Sequence, residues 1–244
     1  MFEQEVLIST HHGKMPAFVV CPHEDGQWPT VIFYMDAPGI RPELWNMARK
    51  IAKQGYFVVL PDLYYRIGTV RFDLPRREET MSQVVRACIS HAMNRAQILD
   101  DTGAVIGFAD GQAQAKDGPI GLVGYCMGGP FITWAAEHFP DRVKSAASLY
   151  GVRMVNELEQ SPHNFIGKVK AELYYGFAEH DNAAPPEVIA QLTKILEEGG
   201  VKHRVEVLPD TRHGFCFPER GAYAPAASEH VWKVLFDLWE RTLK

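Results

Sequence analysis

Hydrophobic positions along the chain fall into short runs of strand length, separated by stretches of helical spacing. Near the start, EVLIST alternates apolar and polar residues, and MPAFVVCP follows as a second apolar run after a turn at His12-Gly13. Side chains of a strand point alternately to its two faces, so this pattern predicts two early strands. Further runs recur at TVIFYM, YFVVLP, IGLVGY, SAASLYG, AELYYG and HRVEVLP. Helical spacing between and after them predicts helices over Pro42–Gln54, Ser82–Leu99, Pro130–Phe139, Pro185–Glu198 and Ala226–Leu243. In the last of these, Val231, Val234, Leu235, Leu238 and Trp239 share one face. A helix around Gly103–Gln112 also fits the spacing, against the low helix propensity of its glycines.

Strands and helices that alternate after an antiparallel start predict an α/β fold, a mostly parallel sheet with helices on both faces. No repeat, low-complexity segment or long polar linker divides the sequence, so residues 1–244 are expected to form one domain.

Composition narrows the function classes. Hydrophobic residues make up 46% and charged residues 23%, the balance of an ordinary globular protein. A net charge of −5 offers no basic field for nucleic acid or an anionic membrane, so neither is expected as a partner. The opening MFEQEVLIST lacks a basic region followed by an apolar one, which argues against a signal peptide. No run approaches the roughly 18 apolar residues that cross a bilayer. The four cysteines, Cys21, Cys88, Cys126 and Cys216, form no CxxC pair and have no zinc-site spacing. A cytoplasmic location, where thiols stay reduced, is expected.

The chemistry concentrates at residues 120–140, IGLVGYCMGGPFITWAAEHFP. An apolar run ends in Gly124-Tyr125-Cys126-Met127-Gly128-Gly129 and a helical pattern follows at once. This is a G-x-S-x-G nucleophile elbow with cysteine in place of serine. Its glycines suit a sharp strand-to-helix turn. A helix N-terminus favours the anionic form of a thiol, and the backbone N–H of Met127 falls where an oxyanion donor is needed. The competing reading makes Cys126 a small buried filler of a glycine-rich turn.

A thiol nucleophile needs a base and a group that orients it, in the order nucleophile, acid, histidine along an α/β-hydrolase chain. Asp181 stands in a loop beyond the run AELYYG, where ligand chemistry gathers in open α/β sheets, although it also suits a turn or helix cap ahead of Pro185. Glu179 and Asp210 are rival acids. Of the ten histidines, His213 follows the last strand run and precedes the last helix, as a base should, whereas His138, His163, His180, His203 and His230 fit less well.

YMDAPGIRPE, PDLYYR, GYCMGG, GFAEHD and HGF, with the front hairpin, together resemble the dienelactone hydrolase family over nearly the whole chain. The resemblance implies the α/β-hydrolase fold, a Cys126-Asp181-His213 triad, and oxyanion donors at Met127 and Ala37. It also implies hydrolysis of a small ester or enol-lactone through a thioester, with no cofactor and no metal. In the family's best-known members a glutamate after the third strand contacts the resting thiol. Here Asp36 occupies that place, and it equally suits the turn at Ala37-Pro38-Gly39. Dienelactone-cleaving members bind the substrate carboxylate through arginines, for which Arg66, Arg71, Arg76, Arg77 and Arg220 are candidates, each by default a solvated surface charge. A broad carboxylesterase or thioesterase inactive on dienelactones is the alternative within hydrolases. A binding protein on a hydrolase scaffold and a redox thiol protein are the alternatives outside them. The expected assembly is a monomer or small homo-oligomer.

Overall fold

A computed structural model describes residues 1–74 and 78–244. Arg76 and Arg77 lie outside the described residues. The chain divides into two compact units, residues 1–117 and 118–244.

In the first unit, β1 (Phe2–Thr10) and β2 (Gly13–Cys21) form the hairpin that the early alternation predicts, paired from Phe2 with Cys21 to Thr10 with Gly13. On its other side β2 runs antiparallel to β4 (Phe57–Pro61), and β4 runs parallel to β3 (Trp28–Tyr34). The antiparallel start thus gives way to parallel pairing. Helix α1 (Pro42–Ala52) begins on a proline, whose fixed φ suits a first turn, and buries Leu44, Met47, Ala48 and Ile51 at helical spacing.

The expected helix over Ser82–Leu99 is instead two helices, α2 (Glu79–Ala92) and α3 (Arg95–Asp110). The break is at Asn94, which is extended (φ −118°, ψ 108°) and accepts the Gln97 N–H on its side chain at 3.2 Å. An asparagine read as helix interior is here an N-cap, the role its short amide serves best. Residues 103–110 belong to α3, so the helix suggested around Gly103–Gln112 is the second half of a longer one.

From residue 118, within β5 (Ala115–Tyr125), the second unit continues through β6 (Val143–Leu149), β7 (Glu172–His180) and β8 (His203–Arg212), each strand from β5 onward parallel to the next. Helices α4 (Gly129–His138), α5 (Pro186–Glu198) and α6 (Pro225–Leu243) follow β5, β7 and β8. The face predicted for the last helix, from Val231 to Trp239, is buried. It comes so close to β5 that a Cβ on Gly121 would lie 2.9 Å from Trp239 and Leu243. Loops that leave the C-terminal ends of β5, β7 and β8 carry the three candidate catalytic residues.

Candidate active site

The elbow is built as its sequence implies. Residues 120–125 of β5 are buried, and the strand runs straight into a tight turn at Cys126–Gly128 and then into α4. Cys126 has φ +53°, a left-handed conformation that L-residues avoid at about 1–2 kcal/mol. A Cβ on Gly124 would lie 2.1 Å from the Gly128 carbonyl oxygen, and one on Gly129 would lie 2.4 Å from the Gly151 Cα. No side chain fits either place, which is why the turn takes glycine there. Cys126 is partly exposed at the start of the helical run, whereas Cys21, Cys88 and Cys216 are buried. The filler reading of Cys126 therefore has exposure and strain against it.

Asp181 directly follows β7 and is buried. Its Oδ2 lies 2.6 Å from Nδ1 of His213, the residue directly after β8. Its Oδ1 accepts the Ala183 N–H at 2.9 Å. One oxygen thus faces His213 and the other closes the turn, while the first helical turn of α5 is led by Pro185.

His213 is partly buried and hydrogen-bonds Cys126 as well as Asp181. Burial is the largest influence on its charge and disfavours it. The bond to Asp181, the bond to Cys126 and the charges of both partners together outweigh burial, so the imidazole pKa rises to about 10. The geometry suits an imidazolium held beside the Asp181 carboxylate, and a ring that can exchange a proton with the sulfur.

Several of the rivals have partners of their own. Glu179 accepts the Asp210 N–H at 2.8 Å. His163 pairs with Ser161 at 2.7 Å, His203 with the Val201 carbonyl at 2.8 Å, and His230 with Glu206 at 3.1 Å. Glu179, His180 and Asp210 do bring metal-type ligand atoms within 4.8 Å of one another, but all three are exposed.

Two site residues named from the sequence lie in the first unit. Asp36 follows β3, fully buried, and both its oxygens bind Arg41, at 2.6 and 3.2 Å. Arg41 also binds Glu43 at 2.6 Å and the Gly39 carbonyl at 3.1 Å. The Asp36 carbonyl accepts the Gly39 N–H at 2.9 Å, so the turn reading describes its backbone. The Ala37 carbonyl accepts the Tyr64 hydroxyl at 2.6 Å. Sequence reading missed Arg41 and Glu43; a basic residue set close between two acids was the available signal.

Arg66 departs from the surface-charge expectation. It forms two bonds to buried Asp101, at 2.8 and 2.9 Å, and stands over the Tyr65 ring. Arg71 reaches Asp62 at 3.0 Å, and Arg220 stands 4.9 Å over the Phe217 ring.

Residues 15–243 match the family described as the dienelactone hydrolase family. The chain belongs to the dienelactone hydrolase family. A Methylorubrum extorquens protein named "Putative carboxymethylenebutenolidase" is 30% identical over 97% of this chain and 80% of its own length. The crystal structure of a "Putative Dienelactone Hydrolase" from Klebsiella pneumoniae superposes with a TM-score of 0.87 at 21% identity, over 98% of both chains. The dienelactone hydrolase of Anabaena variabilis superposes at 0.69 with 19% identity, over 100% of this chain and 99% of its own. The fold is that of the α/β-hydrolases, and membership of the family makes the chain a carboxylic ester hydrolase. Among the described residues no helix is long and apolar enough to cross a membrane.

Proposed function

We propose that this family member hydrolyses small carboxylic esters, enol-lactones of the dienelactone type among them, with Cys126 as nucleophile, His213 as base and Asp181 as its orienter. The observation that carries this reading is the 2.6 Å bond from Asp181 to Nδ1 of a His213 whose imidazole also bonds Cys126. The Cys126 sulfur attacks the carbonyl carbon as a thiolate, its proton held on His213. The resulting oxyanion is stabilised by the Met127 backbone N–H; one such preorganised donor contributes about 3–4 kcal/mol to the transition state. His213 protonates the departing oxygen and the C–O bond breaks, leaving a thioester on Cys126. His213 then deprotonates a water, which attacks the thioester, and the thiolate leaves as the carboxylic acid forms.

A second reading, a carboxylesterase or thioesterase that does not cleave dienelactones, is favoured by one observation. Arg66 and Arg71 already bind Asp101 and Asp62, which leaves them less suited to a substrate carboxylate. Assaying the purified chain with p-nitrophenyl acetate and then with a dienelactone separates the two. Turnover of both supports the first reading, turnover of the acetate alone supports the second, and inertness towards both removes each.

A further inference from the structure

The turn that leaves β6 touches both working ends of the proposed triad. Tyr150, the first residue after the strand, is fully buried and has φ +39°. Its N–H donates to the Gly176 carbonyl of β7 at 2.6 Å. Its ring meets the His213 imidazole edge to face, with centroids 5.0 Å apart and planes at 63°. Two residues on, the Val152 N–H donates to the Cys126 carbonyl at 3.2 Å. Between them lies Gly151, whose Cα would stand 2.4 Å from a Cβ on Gly129 at the start of α4. One short segment therefore contacts the base and, through the backbone, the nucleophile.

The bond to Asp181 fixes one nitrogen of His213 but leaves the ring free to swing about the Nδ1···Oδ2 line. A second contact, on the ring itself, is needed to hold the other nitrogen towards the sulfur. Aromatic edge-to-face contact is directional and favours a positively charged edge over a negative face. Tyr150 is in turn packed by Phe215 and Phe217, with centroids at 5.2 and 6.0 Å, and by Tyr125 at 5.9 Å. A left-handed tyrosine persists only where its surroundings over-determine it, and such positions cluster at working sites.

We propose that Tyr150 is a positioning residue for the base: its ring holds the His213 imidazole so that the nitrogen not bound to Asp181 faces the sulfur of Cys126. The proposal rests on the triad reading above. Small displacements of a positioned group are costly in rate, so loss of the ring should act on turnover rather than on substrate affinity.

The test compares Tyr150→Phe, Tyr150→Leu and Tyr150→Asn in the full chain, with p-nitrophenyl acetate and with circular dichroism as the check on folding. The Asn variant is included because asparagine tolerates positive φ, should leucine fail to fold. Leu and Asn are expected to lower kcat about 10- to 100-fold with little change in KM, as small misplacements do, while Phe restores most of the turnover. A folded Leu or Asn variant with native kcat overturns the proposal. So does a Phe variant as impaired as the others, because the hydroxyl and not the ring would then be the working group. Cys126→Ala, run alongside, tests the triad reading alone. Full activity there removes that reading, whereas its loss beside native kcat in the Leu and Asn variants removes only the role of Tyr150.

Discussion

Asp181 divides its carboxylate between two tasks, Oδ2 holding Nδ1 of His213 at 2.6 Å and Oδ1 holding the Ala183 N–H at 2.9 Å. An asparagine could keep the second contact and lose the first as an anion. Asp181→Asn should therefore fold, yet lose about 10³–10⁴-fold in kcat, the scale seen when a triad histidine loses its anionic orienter. Steady-state kinetics with p-nitrophenyl acetate checks the rate, and a thermal melt checks the fold.

The same pair sets a pH dependence of stability. The folded-state pKa of His213 is raised to about 10, above the roughly 6.5 of an unperturbed histidine. Its charged form therefore contributes stability that is fully present below about pH 6.5 and is lost as pH rises towards 10. Urea denaturation across that window should show the wild type losing this contribution on the alkaline side, and Asp181→Asn losing less. Parallel curves for the two proteins would mean that the bond does not favour the imidazolium.

Cys126 is the partly exposed thiol as well as the proposed nucleophile. Cys126→Ala should lower ester hydrolysis by about 10⁴-fold or more with the fold intact, since alanine is smaller than the thiol it replaces. Iodoacetamide should label Cys126 ahead of Cys21, Cys88 and Cys216, which are at most 5% exposed. Peptide mapping by mass spectrometry gives the order, and labelling of a buried cysteine first would count against the nucleophile assignment.

Local pattern made the elbow legible: β5, the glycines and α4 are adjacent in sequence, and chain order pointed to Asp181 and His213. What escaped depends on partners distant in sequence or on backbone conformation. Arg66 looked like surface charge because its partner Asp101 lies one helix later. Asn94 looked like helix interior because hydrophobic spacing continues across it, although the chain there is extended. Tyr150 carried no signal, since neither its left-handed φ nor its contact with His213 is written in neighbouring residues.

Two glycines should respond oppositely to the same substitution. A Cβ on Gly124 would lie 2.1 Å from backbone oxygen, so Gly124→Ala must displace the elbow and should cost about 3 kcal/mol or more, the upper end for overpacking. Gly107 is exposed inside α3 with nothing within 4 Å of an added Cβ. Gly107→Ala should instead stabilise by about 0.5–1 kcal/mol through helix propensity. Urea midpoints of the two variants decide both, and equal signs would contradict the packing described at Gly124.

The first unit buries a cluster of charges. Arg41 binds Asp36 at 2.6 Å and Glu43 at 2.6 Å, and the three side chains are at most 8% exposed. Two carboxylates around one guanidinium make the cluster asymmetric. Asp36→Asn removes one anion and leaves the Arg41–Glu43 pair neutral, so its cost should be about 1.5–3 kcal/mol, that of a lost charged hydrogen bond. Arg41→Met removes the only cation this trio contains and leaves two buried anions. That should cost about 3–5 kcal/mol, the range for breaking a buried pair from one side. Urea denaturation at pH 8 measures both. Equal costs for the two variants would show that Arg41 is not what balances these carboxylates.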